Sequence, residues 1–174
     1  MKLIVGGEGT IGSALFRYWH ASNVSCHTSS RNPESTSPYH LYFDLAKPDW
    51  TCFSAKYTGA VIVAGITSIA DCESNPSLSR IINVDNSIEL AKQLSRNGCY
   101  ILFLSSTQVF DGTKSFRTIA DEVNPITEYG KQKVVAERGI LELEKSGVLR
   151  LTKVIGQSDD TIECWRRTLT NEKP

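Results

Sequence analysis

The chain of 174 residues has no net charge, with 19 Lys and Arg against 19 Asp and Glu. It therefore offers no basic field for nucleic acid and no acidic tail for a basic partner. No apolar run approaches the ~20 residues of a membrane helix. The opening MKLIVGGEG lacks the form of a signal peptide. Five cysteines (Cys26, Cys52, Cys72, Cys99 and Cys164) form no C-x-x-C pair, and His20, His27 and His40 are scattered. That pattern argues against a disulfide framework or a zinc site and for reduced thiols in the cytoplasm. Internal repeats, low-complexity tracts and linkers are also missing. What remains is 40% hydrophobic and 22% charged, and its length suits one domain of roughly 100–200 residues.

Short apolar runs alternate with longer helical patterns. KLIV (Lys2–Val5), Asn23–Ser29, His40–Leu45, AVIVAG (Ala60–Gly65), YILFLSS (Tyr100–Ser106) and Val148–Val154 read as six strands. Helices are expected over Thr10–Ala21, over Ser77–Asn97, and from Tyr129 to about Lys145, with a last one at TIECWRRTL. In the second helix Ile81, Val84, Ile88, Ala91 and Leu94 share one face, and Gly98 stops it; Gly147 is read as the stop of the third. Strand–helix alternation implies a doubly wound α/β fold, a parallel sheet covered on both faces.

The run VGGEGTIG joins the first strand to the first helix and spaces Gly6, Gly9 and Gly12 three apart. A tight turn explains one glycine, but not three in register. Close approach of a pyrophosphate explains all three, and the amides at Thr10 and Ile11 open the helix toward an anion. After the second strand come Ser30 and Arg31, with no acid. Arginine there suits the 2′-phosphate of NADP, with NAD left open. Asp44 can accept from an adenine amino group or cap the next helix.

In TEYGKQKVVAE, Tyr129 stands four residues before Lys133, so phenol and ammonium share a helix face. A nearby cation favours phenolate, so the pair suits proton transfer near neutral pH.

With Gly6-x-x-Gly9-x-x-Gly12, Tyr129-x-x-x-Lys133, SSTQVFDG (Ser105–Gly112), ADEVNPITEYGKQK (Ala120–Lys133) and NVDNSIELA (Asn83–Ala91), the sequence resembles the extended short-chain dehydrogenase/reductase family. It is most similar to the branch of dTDP-4-dehydrorhamnose reductases and related nucleotide-sugar enzymes. The resemblance implies a catalytic Ser106, a proton-donating Tyr129, and a Lys133 that holds the nicotinamide ribose and lowers the phenol pKa. It further implies adenine contacts at Asp44 and Leu45, backbone contacts at Ala64 and Gly65, and a helix asparagine, Asn83, near the cofactor. Val5 stands where threonine is usual and Gln132 where serine or threonine often precedes the lysine. Neither change is expected to touch the chemistry.

The resemblance also implies an NADP-dependent reductase of a keto group on a nucleotide-linked sugar. An epimerase or dehydratase of the same family, or a non-catalytic dinucleotide-binding protein, stays open. Members of the branch continue into a smaller substrate domain. Residues 1–157 are accordingly expected to form the Rossmann domain, and 158–174 a terminal helix at the stump of the substrate domain. On that helix Ile162, Trp165 and Leu169 form a stripe, which predicts either a homo-dimer or packing back onto the sheet.

Overall fold

The computed structural model describes all residues except 34–36, 54, 157–160 and 170–174, and of helix 161–164 it describes the backbone alone. Six strands, β1 (Lys2–Val5), β2 (Cys26–Ser30), β3 (His40–Tyr42), β4 (Gly59–Ile62), β5 (Tyr100–Ser106) and β6 (Ser146–Leu151), form one sheet in the order β3-β2-β1-β4-β5-β6. All five pairings are parallel. The strand order reverses between β1 and β4. In an open α/β sheet the crevice beyond the strand ends at such a point is where ligands bind. The expected doubly wound fold is present.

The helices are α1 (Thr10–Ala21), α2 (Ile69–Ser74), α3 (Pro76–Arg80), α4 (Asn86–Arg96), α5 (Glu128–Leu141) and α6 (Thr161–Leu169). Leu3, Val5, Ile62, Ile101 and Phe103 share one face of the central strands and are fully buried, as is Ile4 on the opposite face. Leu90 and Ala91 from α4 and Ala136 and Ile140 from α5 close the core on one side.

The long second helix of the sequence reading is a composite. A π-helical turn (Ile81–Asp85) separates α3 from α4. Such a turn inserts one residue into the 3.6 period and rotates the register on either side. Ile81, expected in the buried face, is 41% exposed, and Ile82 is buried in its place. Asn75 caps α3 by accepting from the Leu78 amide, and Pro76 fills the first turn, where a missing N–H costs nothing.

Other boundaries moved for local reasons. Asn23 has φ 57°, a left-handed turn, so β2 starts only at Cys26. α5 stops at Leu141, and Gly147 does not end it. Gly147 lies inside β6, where a Cβ would stand 2.7 Å from the Tyr100 hydroxyl. Gly98, with φ +78°, does terminate α4. On α6 Trp165 and Leu169 are exposed, while the side chain of Ile162 lies outside the described residues.

Close packing at α5 depends on Gly130. A Cβ there would sit 2.2 Å from the Gln108 carbonyl oxygen. At Gly59 it would meet only the flexible end of Lys2, at 3.1 Å. Gly130→Ala is therefore expected to lower stability by about 1–3 kcal/mol, the range for overpacking, with Gly59→Ala close to neutral. Urea denaturation of the two variants checks this contrast.

Candidate functional site

A cleft of about 1030 Å³ opens at the switch point, beyond the C-terminal ends of β1, β4 and β5. It brings together Gly6, Gly9, Thr10, Ile11, Gly12, Ser30, Arg31, Asp44, Leu45, Ala64, Gly65, Ser106, Tyr129 and Lys133. Only Asn83, among the residues expected at the site, is not part of its wall.

At the glycine turn each glycine has a separate reason. Gly6 has φ +97°, and a Cβ on it would meet the Ala64 backbone nitrogen at 2.8 Å. A Cβ on Gly12 would fall 2.1 Å from the Gly6 carbonyl oxygen. Gly7, which the spacing argument passed over, is pressed against Thr28, 2.5 Å from a built Cβ. Gly9 differs, because its Cβ would touch nothing closer than Gly6 O at 3.7 Å. The fold does not require a glycine there, but a ligand approaching the turn would. Gly9 is the N-cap of α1 and supplies no capping side chain, and α1 has no acid in its first turn. The N-terminus of α1 thus faces the cleft with its positive dipole and no acid in its own first turn, while Glu8, just before the N-cap, also lines the cleft.

At the β2 end, Ser29 Oγ accepts from the Gly6 amide at 3.0 Å and ties the turn to the sheet. Ser30 Oγ accepts from the Asn32 amide at 2.8 Å, while Arg31 is exposed along the cleft wall. Asp44 Oδ1 accepts from the Ala46 amide at 2.9 Å. It organises a turn and caps no helix.

At the opposite end, Thr127 caps α5 by accepting from the Gly130 amide. Gly130 allows the first turn of α5 to press on Gln108, which follows β5. This sets Tyr129 beside Ser106 at one end of the cleft. Lys133, 4% exposed, donates from Nζ to the Leu104 carbonyl at 3.0 Å. Its Nζ lies 4.4 Å from the Phe103 ring centroid and 5.8 Å from that of Tyr129.

The electrostatics correct the sequence expectation. Burial raises the Tyr129 phenol above its ordinary value, the neighbouring Ser106 hydroxyl opposes this, and the Cys72 thiol adds to it. Burial also pushes the Lys133 ammonium down to about 8, with Glu137 and then Cys72 acting in the other direction. The net shift of the phenol is therefore upward, with burial the largest influence on it. Both groups sit in a dry pocket where each charged form is disfavoured.

Asn83 acts behind the wall. Its Oδ1 accepts from the Ile66 amide at 2.8 Å, and its Nδ2 donates to the Ile66 carbonyl and to Gln132 Oε1, both at 2.9 Å. Gln132, 1% exposed, donates from Nε2 to Ser79 Oγ at 2.8 Å and to Glu128 at 3.1 Å. Gln132, expected to leave the chemistry untouched, joins α5 through Asn83 to the loop after β4. Its position immediately before Lys133 marked it, but one sequence carries no sign of its burial.

Among the described residues, Cys26, Cys52, Cys72 and Cys99 are free thiols, and no His/Cys/Asp/Glu cluster could hold a metal ion. No helix among them is long and apolar enough to cross a membrane.

A six-stranded parallel sheet in this order, with a glycine turn under an uncapped helix and Ser, Tyr and Lys lining the same cleft, defines a Rossmann-type architecture. The chain belongs to the RmlD substrate binding domain family, whose model matches residues 1–171. It is 28% identical to bovine (Bos taurus) methionine adenosyltransferase 2 subunit beta, over 89% of this chain and 47% of that protein. It is 29% identical to a protein of Haloferax volcanii named "Probable low-salt glycan biosynthesis reductase", over 91% of this chain and 55% of that one. The chain thus spans about half the length of these relatives. A dTDP-4-dehydrorhamnose reductase structure from Clostridium acetobutylicum superposes with TM-score 0.82 at 24% identity, covering 98% of this chain and 60% of that one. Another, from Bacillus anthracis in complex with NADP, gives 0.79 at 18%, covering 99% and 60%.

The buried ammonium predicts a pH-dependent stability. An amine that titrates near 8 when folded, against 10.5 ordinarily, leaves the unfolded chain binding more protons between those values. Stability from this group therefore rises with pH across that window. Lys133→Met is expected to resist urea better than wild type at pH 7, with the gap narrowing as pH approaches about 10.

Proposed function

We propose that the chain forms the cofactor-binding and proton-delivering part of an NADP-dependent reductase acting on a keto group of a nucleotide-linked sugar. The convergence of Ser106, Tyr129 and Lys133 at one end of the cleft, opposite the glycine turn, carries this reading. Space at Gly9 and the uncapped N-terminus of α1 fit a pyrophosphate, so the residues present suit a dinucleotide. The Bacillus anthracis relative, a reductase in complex with NADP, supports the same cofactor.

In this reading Arg31 pairs with the 2′-phosphate, and Asp44 and Leu45 border the adenine. When bound, the nicotinamide supplies the hydride. Tyr129 gives its phenolic proton to the carbonyl oxygen of the sugar, and Ser106 hydrogen-bonds that oxygen. Lys133 spends one donor on Leu104 and keeps others for the ribose hydroxyls. Its positive charge compensates the phenolate left after proton transfer. Asn83 and Gln132 stay outside the reaction and hold the two sides of the cleft in register.

A second reading is favoured by one observation. The bovine relative is named as a subunit of methionine adenosyltransferase, although it covers the same stretch of chain. A cofactor-binding subunit without reductase turnover is compatible with the same fold, and turnover measurements separate the two.

NADPH is expected to bind more tightly than NADH, and Arg31→Ala to erase the difference, in a fluorescence titration of both cofactors. Gly9→Val should leave the protein folded yet abolish both affinities.

Tyr129→Phe is expected to remove turnover of a dTDP-4-keto-6-deoxy sugar with cofactor affinity nearly unchanged. The 174-residue chain by itself is expected to turn over weakly or not at all. Residues that orient a sugar supply effective molarities of ~10⁵–10⁸ M, and the matched region is about 60% of a full reductase structure. Cofactor binding without turnover even after the remaining part of such an enzyme is supplied would favour the subunit reading.

A further inference from the structure

One buried charge cluster is not accounted for by the cofactor or the proton donor. Glu137 lies one turn beyond Lys133 on α5, on the same face, and is 3% exposed. Both of its oxygens are taken by Arg150 of β6: Nε donates to Oε1 at 3.0 Å and to Oε2 at 3.2 Å, and Nη2 donates to Oε2 at 2.7 Å. The guanidinium also lies over the Phe110 ring, 5.3 Å from its centroid. A planar fork engaged along its Nε–Nη2 edge and held over an aromatic face fixes the carboxylate in one orientation.

We propose that the Glu137–Arg150 pair is a positioning element of the proton-delivery site, which keeps the Lys133 side chain charged and directed at the Leu104 carbonyl. The proposal rests on the reading that Lys133 serves the ribose and the phenol.

The physical case is one of competing fields. Among the described residues, Lys133 faces Tyr129 and Glu137 from its own helix and Cys72 from α2. From β5 it meets only the Leu104 carbonyl and the Phe103 ring. Arg150 of β6 stands behind Glu137. Burial drives the amine toward its neutral form, and Glu137 is the largest influence against that. A neutral amine would hold the ribose poorly and could not compensate a phenolate. Arg150 engages both oxygens of Glu137, and this stops the carboxylate from swinging onto Lys133. A direct Lys133–Glu137 contact would draw the ammonium away from Leu104 and from the cleft. The arrangement acts at one remove, through a carboxylate whose hydrogen bonds are already committed.

The test is a pH titration of the lysine side-chain resonances in the full chain, with Lys133 assigned by its absence in Lys133→Met. Glu137→Gln preserves shape and an acceptor for Arg150 but removes the charge. Its Lys133 midpoint is expected to fall by about one pH unit or more, the usual effect of a nearby opposite charge. Glu137→Asp retains the charge but withdraws it by one carbon, and should give a smaller fall. It also serves as the variant if Glu137→Gln does not fold. An unmoved Lys133 midpoint in a folded Glu137→Gln or Glu137→Asp protein overturns the proposal. A lowered midpoint accompanied by an NADPH affinity that is lost at correspondingly lower pH supports it. If wild type binds no NADPH at any pH, the reductase reading fails, while the titration still decides whether this pair sets the charge of Lys133.

Discussion

The hydrogen bond between Asn83 and Gln132 is the constraint on which the two halves of the cleft depend. One amide projects from the π-helical turn and the other from α5, and they meet at 2.9 Å with no access to solvent. Asn83 also grips both backbone groups of Ile66, so the loop after β4 is pinned to the helix carrying Tyr129 and Lys133. Breaking the link would leave buried donors and acceptors unpaired, at about 1–3 kcal/mol each. The geometry around the link follows. Gly65 has no room for a side chain, because its Cβ would stand 2.8 Å from Asn83 Oδ1. Ser79 donates to the Asn75 and Pro76 carbonyls and accepts from Gln132, which ties α3 into the same cluster. The π turn carries an extra residue, and in that register Asn83 points inward.

A dry site has an electrostatic consequence. Tyr129 and Lys133 are pushed toward their neutral forms by the same burial that places them beside Ser106 and Leu104. Exposure to water would relieve both, but it would also weaken every hydrogen bond aimed at a reacting oxygen. The sequence spacing alone suggested that ammonium lowers phenol. In the folded chain the low dielectric comes first, and charge has to be restored by groups further back.

The readable parts of the fold are those specified within a few neighbouring residues. Apolar runs bounded by polar turns located all six strands, and the glycine spacing located the turn beneath α1. Tyr129 and Lys133 were legible because i,i+4 spacing is a property of a single helix. What escaped depends on partners distant in sequence. Gln132 is a surface-compatible residue type until Asn83, 49 residues earlier, is placed against it. Gly147 resembled a helix stop because Tyr100, which actually crowds it, comes from another strand. The π turn could not be read from periodicity, since it is a break in that periodicity: Ile81 and Ile82 are both isoleucine, and which one faces inward depends on the inserted residue.

The glycine turn separates the fold's requirements from the ligand's more sharply than the spacing could. Gly6, Gly7 and Gly12 are enforced by atoms of this chain, so their presence would be explained with no cofactor at all. Gly9 has ordinary space around it, and nothing in the protein forbids a methyl group there. Packing therefore does not dictate the glycine at this N-cap, and the absence of a side chain leaves the turn open to close approach. The adjoining N-terminus of α1, with neither a capping side chain nor a first-turn acid, has the same character: helix stability would improve with either. The N-cap, which is Gly9 itself, lacks a capping side chain and the first turn lacks an acid, and both omissions favour an anion at the same point. A pyrophosphate at this turn would meet a helix end with neither cap nor first-turn acid, two omissions that the packing does not require.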